Sequence, residues 1–293
     1  MTAKLWKSVL LVLGIHLVGM SLARASQVYT PVCRDLTLAS AALRYCVQST
    51  EGAQVDSSRI IYVFHGIFGD ADFVNTRGPV VQLGQALRQR FGAEAPLIIG
   101  LSTGPQGILK NNAREVLAAL PQVEQALGSS GQVSRHIVGF SMGGHNSSRL
   151  VAEAPAQFAS VSLICPALLP IDPFDQAQLA AYRARHKAYL NVTFFNAVVR
   201  VFEREFPDRA TWDANNPFQF LSQGRFDTQT FFVSVGQQDG LGFNEGSAEW
   251  KTRSILRNIA VQNKDVSGNH CSFDSKAWQD FMIAQLRDPL AQN

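Results

Sequence analysis

The chain has 293 residues, 46% of them hydrophobic and 17% charged, and its formal net charge is +3 at pH 7. This length and apolar content suit one large domain or two small ones, and no repeat or linker-like segment divides the sequence. The small net charge, without a cluster of basic residues, argues against a nucleic-acid partner. We therefore expect a single domain that acts on something other than DNA or RNA.

The N-terminus has the composition of a secretory leader. Lysines precede an apolar run over residues 8–22, and Ala23-Arg24-Ala25 then supplies small residues where a signal peptidase cuts. The apolar run is shorter than the roughly 20 residues that cross a membrane, so an uncleaved anchor is the weaker alternative. We predict a signal peptide over residues 1–25 and a nearly neutral mature domain over residues 26–293. The protein would be secreted or periplasmic, with no stable membrane anchor.

Strand-like and helix-like runs alternate along most of the chain. Short apolar runs rich in β-branched and aromatic residues are typical of strands buried on both faces, and runs with helical spacing separate them. This alternation predicts an α/β fold with a mostly parallel central sheet and helices on both faces. The predicted strands are 27–33, 42–48, 59–65, 96–101, 134–140, 159–165, 228–235 and 260–266. The predicted helices are 80–91, 112–127 (kinked or broken at Pro121), 142–154, 247–259 and 276–287.

Residues 166–224 interrupt this alternation. They contain helix-prone runs with several aromatic residues, including Phe194, Phe195, Phe202 and Phe206. One interpretation is a cap-like helical insertion, placed before the strand that carries the catalytic acid, whose aromatic side chains line an apolar pocket. The other is that these side chains simply pack the insertion against the sheet.

The four cysteines all follow the predicted leader. An even number of cysteines in an exported chain indicates disulfides. We predict a disulfide between Cys33 and Cys46, which lie near the ends of neighbouring strand-like runs. Cys165 and Cys271, both near the carboxyl ends of strands, are candidates for a second one. No C-x-x-C motif or histidine spacing is typical of a metal centre, so no metal site is predicted.

Two G-x-S-x-G pentapeptides are present, centred on Ser102 and Ser141. This pattern marks a nucleophile elbow only where a strand leads into a helix through a tight turn. Pro105 and Gly107 follow the first match, which is typical of a loop. The second match lies between a predicted strand and a predicted helix, whose N-terminus would favour a developing oxyanion. Ser141 is therefore the predicted nucleophile, and Ser102 is predicted to be a loop serine.

A serine nucleophile needs an imidazole base, which follows it in the chain order of this kind of site. His145 lies one turn into the nucleophile helix, where it cannot face Ser141, and His186 lies in the insertion. His270 follows the last predicted strand on a glycine-containing loop. His270 is therefore the predicted base.

The base in turn needs a carboxylate that fixes its tautomer. Asp239 follows the predicted strand 228–235 directly, where the acid of such a site is expected. Asp265 and Asp274 are closer to His270 in sequence, but we assign them to the last strand and to a helix cap. Asp239 is the predicted acid.

The strand 59–65 ends in His65-Gly66-Ile67. A glycine-rich turn after this strand is where such enzymes place an oxyanion donor. We predict that the backbone N–H groups of Ile67 and Met142 bind the oxyanion. His65 is interpreted as a structural histidine that braces this loop, and Asp70 as a cap or surface acid.

These motifs together resemble the esterase family of α/β-hydrolases that includes esterase D (S-formylglutathione hydrolase) and mycolyltransferases. The resemblance spans residues 59–286. Its motifs are His65-Gly66-Ile67, Gly139-Phe140-Ser141-Met142-Gly143-Gly144, residues 156–168, Gly236-Gln237-Gln238-Asp239 and Gly268-Asn269-His270. It implies the α/β-hydrolase fold and ester hydrolysis without a cofactor.

The sequence departs from that family at two points. Asn269 replaces the second glycine of the usual Gly-Gly-His. His270-Cys271 resembles tannases and feruloyl esterases, in which that cysteine bridges to a cysteine before the nucleophile. Phe140 precedes Ser141, so the same bridge is impossible in this chain.

We predict a secreted serine hydrolase that cleaves carboxylic or thioesters of small molecules through an acyl-enzyme on Ser141, with no cofactor. An acyltransferase with the same triad, or a serine peptidase, remains open. A non-catalytic binding protein of this fold would have a broken triad, whereas all three members are present here.

Overall fold

The computed structural model describes residues 26–105, 107–110 and 112–287, so the predicted leader, residues 1–25, lies outside the described residues. Its strands are β1 (Ser26–Gln27), β2 (Val32–Thr37), β3 (Ala42–Val47), β4 (Val55–Phe64), β5 (Pro96–Ser102), β6 (Ser134–Phe140), β7 (Ser160–Ile164), β8 (Thr230–Ser234) and β9 (Ala260–Asn263). Its helices are α1 (Phe73–Thr76), α2 (Gly78–Phe91), α3 (Ala113–Ala126), α4 (Met142–Glu153), α5 (Gln176–Arg185), α6 (Val192–Glu205), α7 (Arg209–Asp213), α8 (Pro217–Ser222), α9 (Phe243–Leu256) and α10 (Ser275–Arg287).

One sheet contains all of these strands, in the order β2-β3-β5-β4-β6-β7-β8-β9, with β1 beside β4. The pairs from β5 through β4 to β9 are parallel, and β1, β2 and β3 pair antiparallel. Alternate residues of β4 belong to different cores: Tyr62 packs in the core that includes α3, α4 and α9, and Val63 in the core that includes α2 and α10. The predicted α/β fold, with helices on both faces of a mostly parallel sheet, is confirmed.

Two predicted elements differ from the structure. The first predicted strand, 27–33, is wrong, because β2 begins only at Val32, after Pro31, and its position is set by pairing with β3. Of the kink or break predicted at Pro121, the break is wrong, since α3 continues from Ala113 through Ala126. Leu117, Leu120 and Val123 pack into the core on either side of this proline. Their burial outweighs the loss of one backbone hydrogen bond.

Helices α5 to α8 occupy the segment between β7 and β8. Phe195, Phe202 and Phe206 of this segment pack with Trp212 and with Met142 at the start of α4. This aromatic cluster attaches the segment to α4. None of the helices in the described part of the chain is long and apolar enough to cross a membrane.

Two buried histidines make the fold sensitive to acid. Burial lowers the pKa of His136 to about 4 and that of His145 to about 3, and the nearby cations Arg59 and Arg149 add to the effect. In the unfolded chain both histidines would titrate near their ordinary pKa of about 6.5. The unfolded state therefore binds more protons than the folded state at pH values between the folded and unfolded pKa. Stability is retained above pH 6.5 and is lost as the pH falls through this window.

We expect the free energy of unfolding to fall by about 2 kcal/mol per histidine between pH 7.5 and pH 5. Urea unfolding at the two pH values measures this difference. His145→Leu is the matched control, since leucine does not titrate and fits a site already surrounded by apolar side chains. The difference in the free energy of unfolding between the two pH values should be about half as large in His145→Leu as in the unchanged protein. Equal stability at both pH values in the unchanged protein would contradict the prediction.

Candidate active site

Ser141 lies in the turn between β6 and α4. Its φ of 51° and ψ of −116° are a conformation that non-glycine residues rarely adopt. The turn closes because its neighbours are glycines: a Cβ on Gly139 would lie 2.2 Å from the Gly143 oxygen, and one on Gly143 would lie 2.3 Å from the Phe64 oxygen. The Ser141 N–H donates to Ile164 at the end of β7. The strand, turn and helix have the geometry of a nucleophile elbow, at the carboxyl edge of the sheet.

The three predicted catalytic side chains form a hydrogen-bonded series with His270 in the middle. Ser141 Oγ is 3.0 Å from His270 Nε2, and His270 Nδ1 is 2.8 Å from Asp239 Oδ2. Asp239 is fully buried, and its Oδ1 accepts a hydrogen bond from the Leu241 N–H at 2.7 Å. An imidazole held in this way can accept the serine proton while the carboxylate stabilises the charged ring.

The acid and the base come from separate loops that a single side chain joins. Asp239 lies in a turn after β8, and His270 lies in the loop after β9. The Asn269 Oδ1 accepts hydrogen bonds from the Gly240 N–H at 2.8 Å and from the His270 N–H at 2.7 Å. Sequence reasoning missed this bridge, although the asparagine in place of the usual glycine was a signal that something had changed there.

Two disulfides are present: the one predicted between Cys33 and Cys46, and one between the two candidate cysteines, Cys165 and Cys271. Cys33 lies directly opposite Cys46 in the β2–β3 register. Cys271, the residue after His270, is bonded to Cys165 at the end of β7. His270 lies beside this second pair, and Asp72 lies beside the first. Because the sulfur atoms are oxidised, neither cluster offers a thiolate to a metal ion.

The predicted oxyanion loop adjoins the serine. A Cβ on Gly66 would lie 3.4 Å from the Ser141 Cβ, so only a small residue fits at this contact without displacing its neighbour. Ile67 lines the same pocket as Ser141, and Met142 is the first residue of α4. Asp70 is exposed and accepts a hydrogen bond from a backbone N–H two residues later.

His65 contacts the oxyanion loop, but Ser102 is not the loop residue predicted from the sequence. Ser102 is the buried last residue of β5, because this strand extends to pair with Arg44 of β3. Its Oγ lies 2.7 Å from His65 Nε2, and His65 Nδ1 lies 2.6 Å from the Gly66 oxygen. The serines of the two G-x-S-x-G pentapeptides therefore have different histidine partners: Ser141 contacts His270, and Ser102 contacts His65.

The other candidate histidines and acids have different partners. His145 is completely buried against Trp212 and other aromatic rings. His186 contacts Glu245 at 2.6 Å. Asp274 caps α10, where its Oδ1 accepts the N–H of Ala277 at 2.8 Å. Asp265, predicted within the last strand, lies beyond the end of β9. Among the residues described, these groups make no hydrogen bond to Ser141 or His270.

Ser141 and His270 open onto an apolar pocket of about 480 Å³. One wall comes from α6, and Arg77 at the start of α2 is the charged side chain of the lining. The lining also includes Gly66, Ile67, Phe68, Phe73, Phe140, Phe194, Ala197, Val198, Val201, Leu241 and Cys271. Such a surface suits an uncharged, apolar part of a substrate placed next to the serine.

Comparisons with known proteins agree with this geometry. The family model described as "Putative esterase" matches residues 113–289, which is more than half of the chain. No curated protein matches the sequence.

The solved structures that resemble this one include esterases of low sequence identity, which show a shared fold alone. EstE5, soaked with p-nitrophenyl butyrate, is 16% identical, with a TM-score of 0.61 and coverage of 87% of this chain and 85% of its own. A ferulic acid esterase is 15% identical (TM-score 0.56; 88% and 96% covered). An S-formylglutathione hydrolase from Agrobacterium tumefaciens is 14% identical (TM-score 0.56; 89% and 97% covered). By its family match, its fold and the geometry of its site, the chain belongs to this esterase family of α/β-hydrolases and is an ester-hydrolysing enzyme.

Proposed function

We propose that the protein is a secreted serine esterase that cleaves carboxylic esters or thioesters of small molecules through an acyl-enzyme on Ser141. The observation that carries this proposal is the continuous hydrogen-bonded series from Ser141 through His270 to Asp239 beside an apolar pocket. The mechanism requires only groups that the protein itself supplies.

In the first half of the reaction, Ser141 Oγ attacks the ester carbonyl carbon while His270 Nε2 takes its proton. The charged imidazole is stabilised by Asp239, 2.8 Å from Nδ1. The carbonyl oxygen becomes an oxyanion, which accepts hydrogen bonds from the backbone N–H groups of Ile67 and Met142. His270 then gives its proton to the leaving alcohol or thiol, which leaves the acyl group on Ser141.

In the second half, a water molecule takes the place of the leaving group. His270 removes a proton from this water, whose oxygen attacks the acyl carbon and passes through a second oxyanion at the same donors. The proton returns to Ser141 Oγ as the carboxylic acid departs. The site is thereby restored.

We propose that residues 166–224 act as a cap within a single domain over residues 26–293. Phe194, Val198 and Val201 on one face of α6 line the pocket next to Ser141. Phe195 and Phe202 on the other face are buried in the aromatic cluster that packs against α4. Both interpretations of the aromatic residues in this insertion therefore apply: some pack the insertion against the rest of the fold, and others line the pocket.

A panel of p-nitrophenyl esters of rising acyl length, run beside feruloyl esters and peptides, tests the proposal. We expect kcat/KM to rise from acetate until the acyl chain fills the pocket, because each buried methylene contributes about 0.8 kcal/mol. Phe194→Ala should weaken the preference for longer chains without abolishing acetate turnover. Cleavage of the peptides with no turnover of any ester would reject an esterase in favour of a peptidase.

Export rests on separate observations. Both disulfides are typical of oxidising compartments outside the cytosol, and the sequence of residues 1–25 is typical of a signal peptide. We propose cleavage between Ala25 and Ser26. N-terminal sequencing of the protein from its native host should begin at Ser26, and a chain that still begins at Met1 would contradict the proposal.

A further inference from the structure

His65 and Ser102 form a buried hydrogen-bonded pair to which the mechanism above gives no role. His65 follows the end of β4, and Ser102 ends β5, the adjacent strand. The Ser102 Oγ is 2.7 Å from His65 Nε2 and also accepts the N–H of Gly104 at 3.1 Å. On the other side of the ring, His65 Nδ1 is 2.6 Å from the oxygen of Gly66. The pair therefore extends to the oxyanion loop.

The partners of this histidine determine where its proton lies. The Gly66 oxygen can only accept, so His65 Nδ1 carries the proton and donates it. Burial lowers the pKa of His65, which favours the neutral ring, and the Nε2 of that ring can only accept. The Ser102 hydroxyl must then donate to Nε2 while its oxygen accepts from the Gly104 N–H. The donor and the acceptor of each hydrogen bond from Gly104 through Ser102 and His65 to Gly66 are therefore determined.

This series fixes the orientation of the peptide between Gly66 and Ile67. The Gly66 oxygen also accepts the N–H of Gly69 at 3.1 Å, so two donors hold it on the same side as His65. The described residues contain no cis peptide bond. In a trans peptide the carbonyl and the following N–H point in opposite directions, so the Ile67 N–H points away from the His65 side.

We propose that Ser102 and His65 are positioning residues that hold the Ile67 N–H in the orientation required by the oxyanion. The Gly66 oxygen fixes the His65 tautomer, Ser102 holds the ring in place through Nε2, and His65 fixes the peptide that carries the donor. The inference rests on the proposed Ser141 mechanism and gives Ser102, the serine of the first G-x-S-x-G, a use other than nucleophilic attack. Without the Ser102 hydroxyl, the imidazole loses its partner at Nε2 and can turn away from the Gly66 carbonyl.

The test compares a p-nitrophenyl ester with its thiono analogue, in which sulfur replaces the carbonyl oxygen. Sulfur accepts hydrogen bonds weakly, so hydrolysis of the thionoester depends little on oxyanion donors. We expect Ser102→Ala to lower kcat for the ester at least about tenfold, with KM nearly unchanged, because a displaced donor fails mainly in the transition state. The rate for the thionoester should fall much less. The ratio of the ester rate to the thionoester rate should therefore be lower in Ser102→Ala than in the unchanged protein. Ser102→Thr keeps a hydroxyl and should retain the ratio.

Ser160→Ala is the matched control. Ser160 is also buried in a strand and contacts a buried histidine, with its Oγ 2.8 Å from His136 Nδ1, at the opposite edge of the sheet. It should cost stability without changing the ester-to-thionoester ratio. His65→Phe, which removes both hydrogen bonds of the ring, is the second variant should Ser102→Ala fail to fold.

An unchanged ratio in a folded Ser102→Ala or His65→Phe protein overturns the inference. A fluorophosphonate probe separates this result from failure of the proposed function. Ser102→Ala should still be labelled at Ser141, whereas labelling at Ser102 in the unchanged protein would reject the Ser141 mechanism itself.

Discussion

Ser141→Ala is expected to lower kcat by roughly 10⁴–10⁶-fold, because no other group can form the acyl-enzyme. His270→Ala should cost about as much, since Ser141 and its base act as one unit. Asp239→Asn should cost somewhat less, roughly 10⁴-fold, because it keeps the shape of the site but favours the wrong imidazole tautomer. Steady-state rates on a p-nitrophenyl ester, with folding checked by circular dichroism, measure all three effects.

Labelling by a fluorophosphonate probe provides the complementary measurement. The probe should modify Ser141 alone and should fail to react with Ser141→Ala. Ser141 is the serine 3.0 Å from His270, whereas Ser102 is buried against His65. The assignment of the whole site would be wrong if Ser141→Ala kept its activity.

Removing the disulfide between Cys165 and Cys271 should have the largest effect on stability. The bond closes a loop with a sequence separation of 106 residues. The chain-entropy model assigns about 4.7 kcal/mol to a loop of this size. The double variant Cys165→Ala/Cys271→Ala should therefore unfold at much lower urea concentration. Its kcat should fall as well, because Cys271 directly follows His270, the proposed base, and the disulfide anchors that loop to Cys165, just after β7.

The other disulfide is the control for this prediction. Cys33 and Cys46 are separated by 13 residues and join two antiparallel strands at the edge of the sheet. Cys33→Ala/Cys46→Ala should cost about 3 kcal/mol in the same model. It should leave kcat unchanged in the folded protein. Equal effects of the two double variants on kcat would show that the Cys165–Cys271 bond does not hold His270 in place.

The elbow could be predicted from the sequence because all of its signals are local. The apolar run 134–140, the glycines around Ser141 and the helical spacing that follows lie next to one another in the chain. They agree with the bounds of β6 and with the start of α4. The assignment of Ser141, Asp239 and His270 could also be made without a structure. In α/β-hydrolases the nucleophile, the acid and the base follow one another in the chain in this order.

The missed features depend on which strands are neighbours. Pro105, three residues after Ser102, led to the prediction of a loop at Ser102. Strand β5 extends through Ser102 because Arg44 of β3 pairs with it. The contact of His65 with Ser102 follows from the adjacency of β4 and β5, strands separated in the chain by α2. The bridge at Asn269 depends on two loops that meet only after β8 and β9 pair. Local propensity contains none of this information.

Helix α6 has some residues that stabilise the fold and others that contact the substrate pocket, so selection acts on them differently. Its face with Phe195 and Phe202 is buried, and mutations there would cost folding stability. Phe194 on the pocket face is 60% exposed, so it can change at little thermodynamic cost. The residues proposed as the triad and the oxyanion loop lie on other elements and need not change with it. A lineage could therefore acquire new ester substrates by single substitutions at Phe194 while its chemistry and its fold stay the same.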